Sequence, residues 1–135
     1  GAGDAAPADG PRPIATIPFR PAAMAPVGPV DLALIAETFG DDPSRVGSIL
    51  SALRTSNEQD AELLRQAVLA KDLTQVAYAA HRMHGAGEMV GARDFSNVCQ
   101  VLERGSRTGD WHAIGDAMAA FDTQWLRLKA YLDAA

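Results

Sequence analysis

Two of the chain's three histidines, His81 and His84, stand beside Gly85, Gly87 and Gly91. A neutral imidazole is a nucleophile near neutral pH. Its ring nitrogen can attack an electrophile such as a phosphoryl group and later pass that group on. Glycine costs a helix interior about 1 kcal/mol relative to alanine, so glycines this close to a histidine point to a need for space. With ~100° per residue and His81 at zero, Val76, Ala80, Met83, Gly87 and Val90 fall between about 180° and 260°. That is the core side of a helix, and His81 lies opposite it, facing solvent. Ala77 and Gly85 are its neighbours one turn away, with Tyr78 and His84 three residues off. Little bulk stands above or below the ring, so a partner's backbone and metal site can approach to in-line distance. Tyr78 and Met89 flank the histidine as a docking rim. Gly87 falls on the core side and suits close helix packing, while Gly91 ends the helix.

The elements that must hold this ring read as helices throughout. Residues 1–29 come first and differ in kind: Pro7, Pro11, Pro13, Pro18, Pro21, Pro26 and Pro29, all but one of the eight prolines, are mixed there with alanine and glycine. Proline removes backbone donors and blocks helix interiors, so this segment reads as a flexible linker. Ile14, Ile17 and Phe19 are its candidates for docking on the domain. A linker in this place suggests a domain from the C-terminal end of a larger chain. From residue 30 onward the pattern is helical. Asp31 caps a short first helix that stops at Gly40, and Asp42-Pro43 opens a long second one reaching about Ala70. Asn57 interrupts the apolar stripe of that helix, with a break near Thr55–Asn57 as the alternative. Asp72 caps a third helix, from Leu73 to about Val90. Phe95, Val98, Cys99 and Leu102 mark a fourth, ending near Arg107. Trp111, Ile114, Met118, Phe121, Trp125, Leu128 and Leu132 alternate spacings of three and four along a fifth. Short connections between long amphipathic helices imply antiparallel neighbours. The expected fold is all-α, an antiparallel up-down four-helix bundle over residues 30–135 with a short additional N-terminal helix.

Composition narrows the function. A net charge of −5 and a pI of about 5.0 argue against a nucleic-acid binder, which carries a basic face. No apolar run approaches the ~20 residues that span a bilayer, so no direct membrane contact is expected of this segment. The single cysteine, Cys99, sits on an apolar stripe as a core residue and cannot form an internal disulfide, which fits a reducing cytoplasm. No glycine-rich nucleotide loop is present. His112 has no assigned role, and the two tryptophans belong to the bundle stripe.

The stretch from Tyr78-Ala79-Ala80 through His81, His84, Gly85 and Gly91-Ala92 to Phe95, Cys99 and Leu102-Glu103, with Arg107-Thr108-Gly109-Asp110 after it, resembles the histidine-containing phosphotransfer (HPt) domain of bacterial phosphorelays. The resemblance spans about residues 30–135. With the Pro-rich segment ahead of it, the chain is similar to the C-terminal domain of unorthodox hybrid sensor histidine kinases of the virulence-sensor type. It implies that His81 takes a phosphoryl group from a receiver-domain aspartyl phosphate and gives it to the aspartate of a response regulator. It implies a carrier without autokinase activity, no cofactor of its own, and Mg²⁺ supplied by the partner receiver. The location implied is cytoplasmic, at the inner end of an inner-membrane sensor kinase. Partner-facing residues would be Ala77, Tyr78, Arg82, His84, Gly85, Glu88 and Met89. One departure stands out: the family's usual lysine three residues after the histidine is His84 here. A lysine is a permanent cation, whereas a histidine is charged only part of the time near pH 7. Arg82, about 100° round the helix, reaches the phosphoryl group only from the side.

Two other readings compete. His81, His84 and Glu88 occupy neighbouring helical positions and are candidate ligands for a metal ion, although no H-E-x-x-H pattern is present. A bundle that only binds other helices would explain the amphipathic faces but not the glycines beside His81.

Overall fold

The computed structural model describes residues 28–135. The expected linker lies outside the described residues except for its last two, and so do Ile14, Ile17 and Phe19. Among the described residues there are five helices and no strand: α1 (Leu32–Phe39), α2 (Pro43–Leu69), α3 (Leu73–Met89), α4 (Arg93–Thr108) and α5 (Trp111–Ala134).

Four of the five helices start on an aspartate whose carboxylate accepts from first-turn amides. Asp31 accepts from Ala33 and Leu34, Asp42 from Arg45, Asp72 from Gln75 and Asp110 from Ala113. Each bond satisfies a donor that the helix itself leaves unpaired. Only α4 lacks a side-chain cap, starting from Ala92. The second helix is continuous through Thr55–Asn57. Asn57 does not interrupt the buried face but belongs to it: it is fully buried beside Leu53, Ala61 and Leu64, and neither atom of its amide meets a protein partner.

The third helix packs against α2 and α4, α5 packs against α4 and α2, and α1 lies on α2. Between α2 and α5, Arg54 meets Asp133, Glu58 meets Lys129 at 3.5 Å and Arg65 meets Asp122 at 3.6 Å. Rising numbers on one helix therefore pair with falling numbers on the other. The same holds for α4 and α5, where Asp94 reaches Arg127 at 3.5 Å and the Phe95 ring lies 5.8 Å from Phe121 and 6.0 Å from Trp125, while further along α4 a Cβ on Gly105 would stand 3.0 Å from Ile114. The core is aliphatic and aromatic, with Ile35, Leu64, Val76, Met83, Leu102, Ile114, Phe121 and Leu128 all closed to solvent. Trp111 is only half-buried at the end of this stripe, where the Lys71 ammonium sits 4.7 Å from its ring centre, a cation–π contact. Cys99 is buried, and desolvation pushes its thiol from 9.0 up to about 12. No helix among the described residues is long and apolar enough to cross a membrane.

The turn between α3 and α4 ties in the short first helix. Gly91 has φ +68°, a left-handed backbone that other residues adopt at a cost. A Cβ there would lie 2.5 Å from the Cβ of Asp31. The Asp31 amide donates to the Val90 carbonyl at 2.8 Å. Gly91 thus does more than end a helix: it admits the start of α1.

Candidate functional site

The third helix presents His81 on its outer side with 73% of the side chain exposed, the orientation its helical angle demands. Val76, Ala80, Met83, Gly87 and Val90 are buried on the opposite side. Gly87 lets α4 come close: a Cβ on it would stand 3.2 Å from the Ser96 Cβ and 3.3 Å from the Phe95 ring. A Cβ on Gly85 would meet nothing within 4 Å, so Gly85 leaves open solvent beside His81 and serves no internal packing.

Because the two helices approach so closely, α4 delivers a carboxylate to the ring. Glu103 Oε2 lies 2.8 Å from His81 Nδ1. Glu103 is only 14% exposed and also receives Arg107 Nη1 at 3.4 Å. A carboxylate accepts, so Nδ1 is the nitrogen that carries the hydrogen and donates. In the neutral ring Nε2 is then left with a free lone pair, on the far side from Glu103. This is the tautomer a nucleophilic Nε2 requires.

The second histidine shares the same carboxylate. His84 Nδ1 lies 3.4 Å from Glu103 Oε1, and its Nε2 lies 3.9 Å from Glu88 Oε2. With a quarter of its side chain exposed, His84 is far more enclosed than His81. Glu88 is held in turn by the Ser96 hydroxyl, which donates to its Oε2 at 2.7 Å. Arg82 turns the other way. Its Nε lies 3.2 Å from both oxygens of Asp60 on α2, and the guanidinium sits 5.6 Å from the Tyr78 ring centre. The hydrogen bond to Asp60 raises its pKa further above an already basic value, so Arg82 is a fixed cation held at the α2 edge. Tyr78 and Met89 are each about half exposed, and Ala77 is half-buried.

Glu103 is the residue that reading the sequence for chemistry passes over. The signal for it was available. If the turn at 90–92 reverses the chain and the helices are antiparallel, counting equally far past the turn from His81 reaches residues 99–103. Of these, only Glu103 carries a carboxylate. The metal reading finds no support, since among the described residues no group of three His, Cys, Asp or Glu side chains is placed to hold a metal ion.

His81 is thus an exposed histidine on a helical bundle, with one ring nitrogen tied to a carboxylate and the other open to solvent. The family described as the Hpt domain matches residues 48–135, and the chain belongs to that family. No curated protein and no solved structure gives a match. Membership brings histidine phosphotransfer within a phosphorelay and interaction with receiver domains, and these domains carry phosphoryl groups without phosphorylating themselves.

Proposed function

We propose that His81 is the residue that carries the phosphoryl group. The observation that supports this is the 2.8 Å contact from Nδ1 to Glu103 on a ring that is 73% exposed. It leaves Nε2 unprotonated and open to a partner. Nε2 attacks the phosphorus of an aspartyl phosphate on a receiver domain. The N–P bond forms as the acyl phosphate O–P bond breaks, and the aspartate leaves as carboxylate with the bonding electrons. Nδ1 keeps its proton throughout, and Glu103 balances the positive character the ring gains. The reverse step, with a second receiver, delivers the group onward. The receiver supplies the Mg²⁺ that shields the phosphoryl oxygens, and the domain binds no cofactor of its own.

The docking face in this reading centres on the gap at Gly85, rimmed by Tyr78 and Met89, with Ala77, His84 and Glu88 beneath the partner and Arg82 at its edge. The bundle that carries it is up-down and antiparallel over residues 30–135. The opposed pairings of α2 with α5 and of α4 with α5 support that arrangement, with α1 as the additional helix. Residues 1–29 act as a linker to a hybrid sensor kinase at the cytoplasmic face of the inner membrane. The test is to incubate the domain with a phosphorylated receiver and Mg²⁺. Acid-labile, alkali-stable label should appear on the domain and be lost in His81→Gln. Label that survives this substitution overturns the assignment.

A further inference from the structure

We infer that His84 makes phosphorylation of this domain proton-coupled: His84 takes up a proton when His81 is phosphorylated, so acid shifts the transfer equilibrium toward the phosphorylated domain. The inference rests on His81 being the carrier.

Its basis is the shared carboxylate. Glu103 places one oxygen on His81 Nδ1 and the other on His84 Nδ1, at 2.8 and 3.4 Å, so the two rings stand side by side over a single negative charge. In the resting state that charge faces both rings and the Arg107 guanidinium. Phosphorylation adds a dianion on the outer nitrogen of one ring, a few ångströms from the other. The groups facing His84 are then strongly unbalanced. On its own helix are Glu88, 3.9 Å from its Nε2, and the phosphorylated His81. On α4 are Glu103 and Arg107, the latter exposed and bound to Glu103 at 3.4 Å. On α2 the charged group facing this helix is Asp60, already neutralised by Arg82. Besides the phosphorylated His81 itself, His84 is the group in this anionic cluster able to change its charge near neutral pH. A neutral imidazole carries a hydrogen on only one of its two nitrogens, and here Nδ1 faces Glu103 while Nε2 faces Glu88. Protonation puts a hydrogen on both nitrogens, so that the ring can face Glu103 on one side and Glu88 or a phosphoryl oxygen on the other as a donor, and the proton comes from solvent.

The sign follows by linkage. If the phosphorylated state binds a proton more tightly than the resting one, lowering pH favours phosphorylation through the window between the two titrations. Charges separated by several ångströms in a half-exposed site shift such an equilibrium by about three- to tenfold. His81 and the receiver titrate as well, so the useful quantity is a ratio. Equilibrium constants for transfer from a phosphorylated receiver are measured between pH 5.5 and 8.5 for the natural chain and for His84→Lys. The variant keeps His81, Glu103 and the receiver but holds a permanent cation at this position. The natural-to-variant ratio should rise about three- to tenfold toward acid. A ratio flat across the range overturns the inference.

A second measurement needs no receiver. The domain is phosphorylated chemically with phosphoramidate, and the His84 ring is followed by NMR against pH. Its midpoint should lie higher in the phosphorylated domain; coincident midpoints overturn the inference. The failures are distinguishable. No label from any phosphorylated receiver, or label that survives His81→Gln, sinks the carrier assignment. Receiver transfer that is intact, with a flat ratio, sinks the proton coupling alone.

Discussion

Replacing Glu103 with glutamine tests whether the carboxylate sets the reactivity of His81. The substitution keeps size and shape but removes the charge, and an amide can accept from Nδ1–H or donate to a bare Nδ1. The ring is then free to populate the tautomer whose hydrogen blocks Nε2. A hydrogen bond to a charged group contributes about 1.5–3 kcal/mol. His81 is 73% exposed although Glu103 is only 14% exposed, so solvent screening brings the effect below that range, to about 1 kcal/mol. That corresponds to a roughly fivefold slower transfer. The assay is single-turnover phosphotransfer from a labelled receiver, run beside nitrogen NMR of the ring to read its tautomer. Stability serves as the control. Arg107 is well exposed and loses little, so the midpoint of thermal unfolding should barely move. A rate within twofold of the natural domain refutes the reasoning, and so does a slower rate with an unchanged tautomer.

The two glycines of α3 should separate docking from folding. Gly85→Leu has open space for its side chain, so thermal unfolding should hold or rise slightly while transfer from the receiver falls about tenfold or more. Gly87→Leu drives into Ser96 and Phe95 and should lower stability by about 2 kcal/mol or more in urea titration. Gly91→Ala forces a left-handed residue and a Cβ against Asp31, and should lower unfolding free energy by about 2 kcal/mol in the same assay. Asn57→Leu keeps the branching at Cγ while removing a buried amide with no protein partner, and should raise that free energy by about 1 kcal/mol. For Cys99, burial lifts the folded thiol from 9.0 to about 12. The unfolded chain therefore loses its proton first, and the stabilisation is complete below pH 9 and lost as pH rises toward 12. Between those limits the natural protein should lose about 1.4 kcal/mol per pH unit more than Cys99→Ala in urea titrations; parallel curves would show the thiol to be solvated.

Local chemistry made the helices legible. Aspartate caps, the Pro43 start and the glycines at 40, 91 and 109 are signals that act within one turn of where they stand, and the observed starts and stops fall within a residue or two of the expected ones. Asn57 shows where local reading stops. Counting polarity along α2 makes it an interruption, because periodicity registers a polar residue as a gap in the stripe. The helix nevertheless stays continuous, since seven residues of its buried face, Leu50 through Ala67, are held by neighbouring elements. Gly91 shows the same limit from the other side. Its role in turning the chain is local and readable, but its contact with Asp31 depends on α1 folding back over the α3–α4 turn, which no spacing records.

The candidate site divides along the same line. Exposure of His81 and the open flank at Gly85 are properties of one helix, and the 3.6-residue period alone is enough to derive them. Tautomer control is a property of two helices, because the proton on Nδ1 is fixed by Glu103, which lies 22 residues away in sequence. That contact requires the turn at Gly91 to set the register and Gly87 to set the spacing, so the glycines that looked anomalous beside a histidine act at different levels. Gly85 opens the outer face. Gly87 and Gly91 bring up the carboxylate that holds the inner nitrogen of His81. The same approach also puts His84 against Glu103, where the family pattern would place a lysine. A lysine there would be an anchor indifferent to pH, whereas an imidazole makes the charge around the phosphoryl group depend on proton concentration. His84, where the sequence departs from the lysine the resemblance leads one to expect, is therefore where its behaviour should depart as well.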